Sequence, residues 1–164
     1  MKIPILVYYT DVNLRYDIAL TKSILTLKNR NIIMFRKIIE VSSRDTDALG
    51  HVNNTVLPEW FEIARNPFYK IFNPEMNLNT KIWNIIMVHI EIDYINQIFF
   101  GMDVEINTFV EEIGTTSCTV YQEAWQNNNM VARARVILVH YDFNKEEKIV
   151  IPDFIRTELE KHLE

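Results

Sequence analysis

The chain has 164 residues, 48% apolar and 24% charged, which fits one folded domain, or two at most, with a sizeable core. A formal net charge of −5 argues against a nucleic-acid binder that works through a basic surface. No run approaches the roughly 20 apolar residues of a membrane span, and the single cysteine, Cys118, excludes an internal disulfide and suits a reducing cytoplasm.

Residues 1–33 carry no motif. Residues 1–9 hold one Lys and a short apolar run, and Asp11 follows without a small-residue cleavage site. They are not read as a signal peptide. Residues 18–27 predict a short helix with a loose apolar face. Met34 stands just before the first clear strand. One reading starts translation there. The other makes residues 1–33 a genuine appendage, docked or disordered. The division is therefore an N-terminal extension over 1–33 and a main domain over 34–164.

Residues 35–43 alternate as a strand, with Phe35, Lys37, Ile39 and Val41 on one side. A polar loop follows: Arg44-Asp45-Thr46-Asp47-Ala48-Leu49-Gly50-His51-Val52-Asn53-Asn54. Next, Trp60, Phe61, Ala64, Phe68, Ile71 and Phe72 recur at helical spacing within an arc of about 120°. Glu59, Glu62, Arg65, Asn66, Tyr69 and Lys70 fall outside it. Pro58 suits a first helical turn. Pro67 removes an internal bond and presses on the carbonyl of Ile63, yet the apolar phase continues through it. The prediction is one helix kinked near Ile63–Pro67, with two abutting helices as the alternative.

Beyond Asn73-Pro74-Glu75 the period changes. Residues 82–96, 102–113, 115–126 and 130–143 read as strands, with Gly101 and Gly114 at two junctions. Asn127-Asn128-Asn129 makes a hairpin turn, because Asn tolerates positive φ. A last helix fits residues 153–163, after Pro152. This order predicts an α+β fold with a helix packed on an antiparallel sheet. The last strand reads as apolar on both faces: Val131, Ile137 and Val139 on one, Ala132, Ala134, Val136 and Leu138 on the other. A second subunit or the terminal helix is needed to cover the second face, which predicts a homo-oligomer.

The polar loop is the candidate site. Free N–H groups at a helix start carry partial positive charge. A carboxylate facing them can drive hydrolysis. Blander roles compete for each residue. Asp45 suits a turn or cap, as do Asn53 and Asn54. His51 suits a structural or substrate-orienting hydrogen bonder. Trp60 and Phe61 are more often core than pocket. A calcium loop starting at Asp45 fails, since Leu49 takes the fifth ligand position and Val56 the twelfth. His89, Glu91 and Asp93 share a strand face that reads as a solvated or interface face, so no metal is expected. Arg133 and Arg135 read as surface ion-pairers, and Cys118 as a small core residue.

Asp45 to Asn54, followed by Trp60-Phe61-Glu62-Ile63-Ala64-Arg65, resembles the hotdog-fold acyl-CoA thioesterases of the 4-hydroxybenzoyl-CoA thioesterase family. The resemblance covers about residues 35–160 and includes the Gly101-Met102-Asp103-Val104 turn and the Ile113-Gly114 junction. It implies a long helix wrapped by a five-stranded antiparallel sheet, and dimers or tetramers with sites at the subunit interface. By position, Asp47 matches the catalytic carboxylate, a general base or a nucleophile. The amides around Asn54 match the oxyanion donors. His51 joins them as a third catalytic candidate, and Gly50, Val52, Asn53 and Trp60 are the expected substrate contacts. Leu57-Pro58 departs from the Tyr-Leu of many members, and Pro58 removes one donor. The expected activity is hydrolysis of an acyl-CoA or acyl-carrier-protein thioester in the cytoplasm, without a cofactor. A hotdog dehydratase or hydratase, and a non-catalytic acyl-thioester binding module, are the alternatives.

Overall fold

The computed structural model describes residues 33–164, Thr80 excepted. The helix predicted over 18–27 and the order of the N-terminal extension lie outside the described residues. Ile33–Glu164 forms one unit. Its elements are β1 (Phe35–Ile39), a 3-10 turn (Ser43–Asp45), α1 (Leu57–Ala64), α2 (Asn66–Phe72), β2 (Ile85–Tyr94), β3 (Val104–Ile113), β4 (Ser117–Gln126), β5 (Asn129–Asp142), β6 (Glu147–Lys148) and α3 (Asp153–Glu160). The strands form one antiparallel sheet in the order β1-β3-β4-β5-β2, with the short β6 added to β5. Consecutive strands β1 and β2 therefore lie at opposite edges. The helical segment between them has to cross the width of the sheet, and its apolar side covers the sheet's inner face.

The β4–β5 connection is the two-residue turn Asn127-Asn128, with φ of +50° and +61°. Both central residues need positive φ in the turn that matches strand twist. Asn supplies this at lower cost than a β-branched residue.

The core has two contiguous parts. Leu57, Trp60, Phe61 and Ala64 of α1 pack with Ile39, Val104, Ile106 and Ala132. Phe68 and Phe72 of α2 pack with Ile155 and Leu159 of α3 and with Val110, Val136 and Leu138. So α3 lies on the same face as α1 and α2, not on the opposite one. The opposite face of β5 is not apolar throughout either. Between Val131 and Ile137 stand Arg133 and Arg135, paired with Asp93 at 2.7 Å and with Glu111 at 2.9 Å.

The helix divides at Arg65, the second of the two sequence readings. The backbone of Arg65 stays right-handed, φ −82° and ψ −7°, so the two segments abut. Pro67 has no N–H to offer the carbonyl of Ile63, which ends α1. Arg65 and Tyr69 fall outside the apolar arc of the helical periodicity. Both are buried, Arg65 to 1% exposure. The Arg65 guanidinium donates to Gln122 Oε1 at 2.7 Å and to Tyr69 Oη at 3.1 Å, and pairs with Glu62. Gln122 Nε2 donates to the carbonyl of Phe61 at 3.0 Å and to Thr108 Oγ1 at 2.9 Å. Burial of this charge is sustained because its donors have partners.

Candidate active site

The loop from β1 to α1 is shaped by short-range bonds that its residue types dictate. Ser42 and Asp45 form a capping box around the 3-10 turn: Ser42 Oγ accepts from Arg44 N at 3.3 Å, and Asp45 Oδ2 accepts from Ser42 N at 2.8 Å. Asp45 is thus a capping residue. Its carbonyl also accepts from Asn53 N at 2.7 Å, which ties the entrance of α1 back to the turn. Between these anchors the chain doubles on itself. Thr46 bridges to Val52, and Asp47 N donates to the carbonyl of His51 at 2.7 Å. Gly50, at φ +77°, closes the bend.

Asp47 projects from this bend and is exposed. Its Oδ1 accepts from Leu49 N at 2.8 Å and from His51 N at 3.2 Å. Its Oδ2 has no hydrogen-bond partner among the described residues. One oxygen thus fixes the direction of the group.

His51 is half-buried, with its ring edge-to-face against Phe99 at 5.2 Å. The two residues also bridge through their backbones, and Val52 N donates to the carbonyl of Ile98 at 2.8 Å. Asn53 Oδ1 accepts from Thr55 N at 3.0 Å and from Thr55 Oγ1 at 2.8 Å, a side-chain turn that starts the helical chain direction. The Asn54 carbonyl accepts from Tyr94 Oη at 3.0 Å. No side chain caps α1, whose N-cap position is Val56. Among the described residues the N–H groups of Leu57 and Glu59 in its first turn have no partner, and Pro58 has no N–H.

Asp47, Gly50, His51 and Val52 therefore share one bend, and Asn53 and Asn54 connect it to the helix start. Trp60 stands apart, 5% exposed in the core beneath. It supports the site from below, and one chain gives it no open surface for a ligand. Tyr94, Phe99 and Gln126 were not singled out from sequence. They lie 40 or more residues downstream of the bend, and the fold brings Tyr94 and Phe99 to it, while Gln126 holds Phe99.

Elsewhere, Glu91 and Asp93 are engaged by Arg135 and Arg133. Among the described residues no group of His, Cys, Asp and Glu side chains is arranged to hold a metal ion, and no helix is long and apolar enough to cross a membrane. Burial pushes the Cys118 thiol up to about 12, so it is no thiolate nucleophile.

The sequence model of a family described as the thioesterase-like superfamily matches residues 41–159. Among solved structures, a predicted thioesterase from Bacillus stearothermophilus is 38% identical, covering 80% of this chain and 98% of that one, with a TM-score of 0.77. A thioesterase from Thermus thermophilus, complexed with coenzyme A and Zn, is 25% identical over 76% of this chain and 95% of that one, with a TM-score of 0.67. A 1,4-dihydroxy-2-naphthoyl-CoA thioesterase from Synechocystis has the same fold at 19% identity, covering 77% of this chain and 96% of that one, with a TM-score of 0.66. No curated protein matches. The α+β architecture of helices on a curled, five-strand antiparallel sheet is the hotdog fold.

Proposed function

Since the chain belongs to the thioesterase-like superfamily, we propose that it hydrolyses an acyl-CoA or acyl-carrier-protein thioester to a carboxylic acid and a free thiol. The observation that carries this reading is the state of Asp47: one oxygen pinned by two amides, the other open, on a bend tied to an uncapped helix start. Oδ2 serves as general base for a water, or adds directly to the carbonyl carbon. In the first route the water oxygen bonds to that carbon and its proton passes to Asp47. In the second an anhydride forms and water then cleaves it. Either way the carbonyl electrons move onto oxygen, where the N–H groups of Asn54, Leu57 and Glu59 stabilise them. In the water route the C–S bond then breaks; in the other it breaks as the anhydride forms, before water enters; in both the thiolate takes up a proton. His51 orients the thioester beside Asp47, and Gly50, Val52 and Asn53 line its approach.

Coenzyme A in the Thermus thermophilus structure supports acyl-CoA over a carrier protein. The loop motif supports the 4-hydroxybenzoyl-CoA branch of the superfamily. We assign the activity to residues 34–164 and the protein to the cytoplasm, which suits the buried free thiol of Cys118. A homodimer or homotetramer is supported by β2. This strand of 10 residues, at the edge of the sheet among the described residues, exposes Ile86, Met87, Val88 and Tyr94, and an exposed edge is a template for pairing with another chain.

Thiol release from short, long and aromatic acyl-CoAs, followed with the mass of the acyl product, tests the reading. The expected result is thiol and carboxylic acid in equal amounts. Tight binding without release would make the protein a sequestering module, and a water adduct of an intact thioester would make it a hydratase.

A further inference from the structure

The chain between β2 and β3 turns over the end of the sheet, where Ile95, Phe99 and Met102 stay open to solvent. With Val131, and with Asn96 and Asn129 among its polar walls, they line a cavity of about 610 Å³, the size of a small-molecule site. This wall is held in place. Gln126, buried at the end of β4, accepts from Phe99 N at 2.9 Å. It also donates to the carbonyls of Phe99 at 2.8 Å and Met102 at 2.9 Å. Both amide hydrogens and the amide oxygen are thereby used. Gly101, at φ +83°, allows the turn between them. The outcome is apolar side chains kept rigid in water, an arrangement that commonly marks a binding surface.

The cavity adjoins the Asp47 bend. Phe99 contributes to its lining and also packs its ring on His51 at 5.2 Å. The carbonyl of Ile98 accepts from Val52 N. No Lys or Arg lines the cavity among the described residues, so it offers no cation to the phosphates of coenzyme A. An uncharged, partly apolar hollow bonded to a hydrolytic loop suits the other end of the substrate. We propose that the cavity receives the hydrocarbon chain of the acyl group, and that Ile95, Phe99 and Met102 select chains long enough to reach it. This rests on the thioesterase reading given above.

The test is kcat/KM along the series from acetyl- to decanoyl-CoA, with binding of decanoyl- and acetyl-CoA measured by calorimetry on the same proteins. Wild type should gain with length, up to about fourfold for each fully buried methylene. The Ile95→Ser/Met102→Ser double variant should cut the decanoyl-to-acetyl ratio at least tenfold. Ile95→Trp, which fills the hollow, should move the preferred length down. A flat wild-type series, or variants that keep the wild-type profile, would overturn the proposal. So would a changed oligomeric state in the variants with the profile intact, since the patch would then be a contact between copies. The two failures are separable. Hydrolysis without length dependence sinks only the acyl-chain site, whereas length-dependent binding with no hydrolysis sinks only the enzymatic reading.

Discussion

Asp45 and Asp47 are the same residue type two positions apart, and the chain gives them different work. Asp45 commits its side chain to the amide of Ser42 and its carbonyl to Asn53. Asp47 keeps one oxygen open. The cap was legible from residue type, because an Asp close after a Ser invites a capping box. That Asp47 is the more available of the pair was legible only through the family motif, as nothing local distinguishes them. Tyr94 and Gln126 were not legible, because each acts through a backbone group that lies far away in sequence. One further residue sets a pH dependence. Burial is the main reason that the Glu123 carboxyl lies above its usual value, with the nearby Glu164 charge adding to it. A raised folded value means that its contribution to stability is fully present below the unfolded carboxyl value of about 4.3 and is lost as pH rises through the folded value. Glu123→Gln, which retains an acceptor for Trp125 Nε1, should therefore raise the urea midpoint over wild type at pH 7. That advantage should vanish below about pH 4. An equal gain at both pH values would remove titration as the cause.

Among the elements, the helical segment shows what periodicity reaches and what it misses. Pro67 marked where the helix is disturbed, since a missing N–H acts wherever it occurs in a helix interior, but the expected single kinked helix is two abutting ones. Arg65 and Tyr69 fall outside the apolar arc yet are buried, since a helical wheel knows nothing of the facing strands. Gln122 and Thr108 convert that side of the helix into a buried polar layer. Arg65→Ala would leave Gln122 Oε1 without its donor and should cost about 1–3 kcal/mol. Denaturant unfolding checks this, and an unchanged midpoint would mean that water replaces the guanidinium. The hairpin turn at Asn127-Asn128 was fully legible, for the sign of φ is a local matter. The terminal helix was legible as a helix, but not the sheet face that it covers.

At the scale of the molecule, the pattern of β5 points to a second subunit or the terminal helix as cover for its outer face, and the proposed assembly uses β2 instead. Arg133 and Arg135 make the outer face of β5 ionic near its middle, whereas β2, at the edge of the sheet among the described residues, exposes Ile86, Met87 and Val88. The proposed homodimer should fall to monomers in Val88→Lys, because Val88 is exposed at a bulge and a charge there opposes edge pairing without disturbing β5. Analytical ultracentrifugation reads this directly, and a variant that sediments like an oligomeric wild type would place the interface elsewhere. The proposed hydrolysis rests on the Asp47 carboxylate beside the start of a helix, and its most direct test is thiol release by Asp47→Asn against wild type on the best acyl-CoA. The amide preserves the size of the side chain and an oxygen to accept from Leu49 and His51. The expected result is a loss on the order of 10²–10⁴ in kcat with the melting curve unchanged. Wild-type turnover by that variant would contradict the role assigned to Asp47.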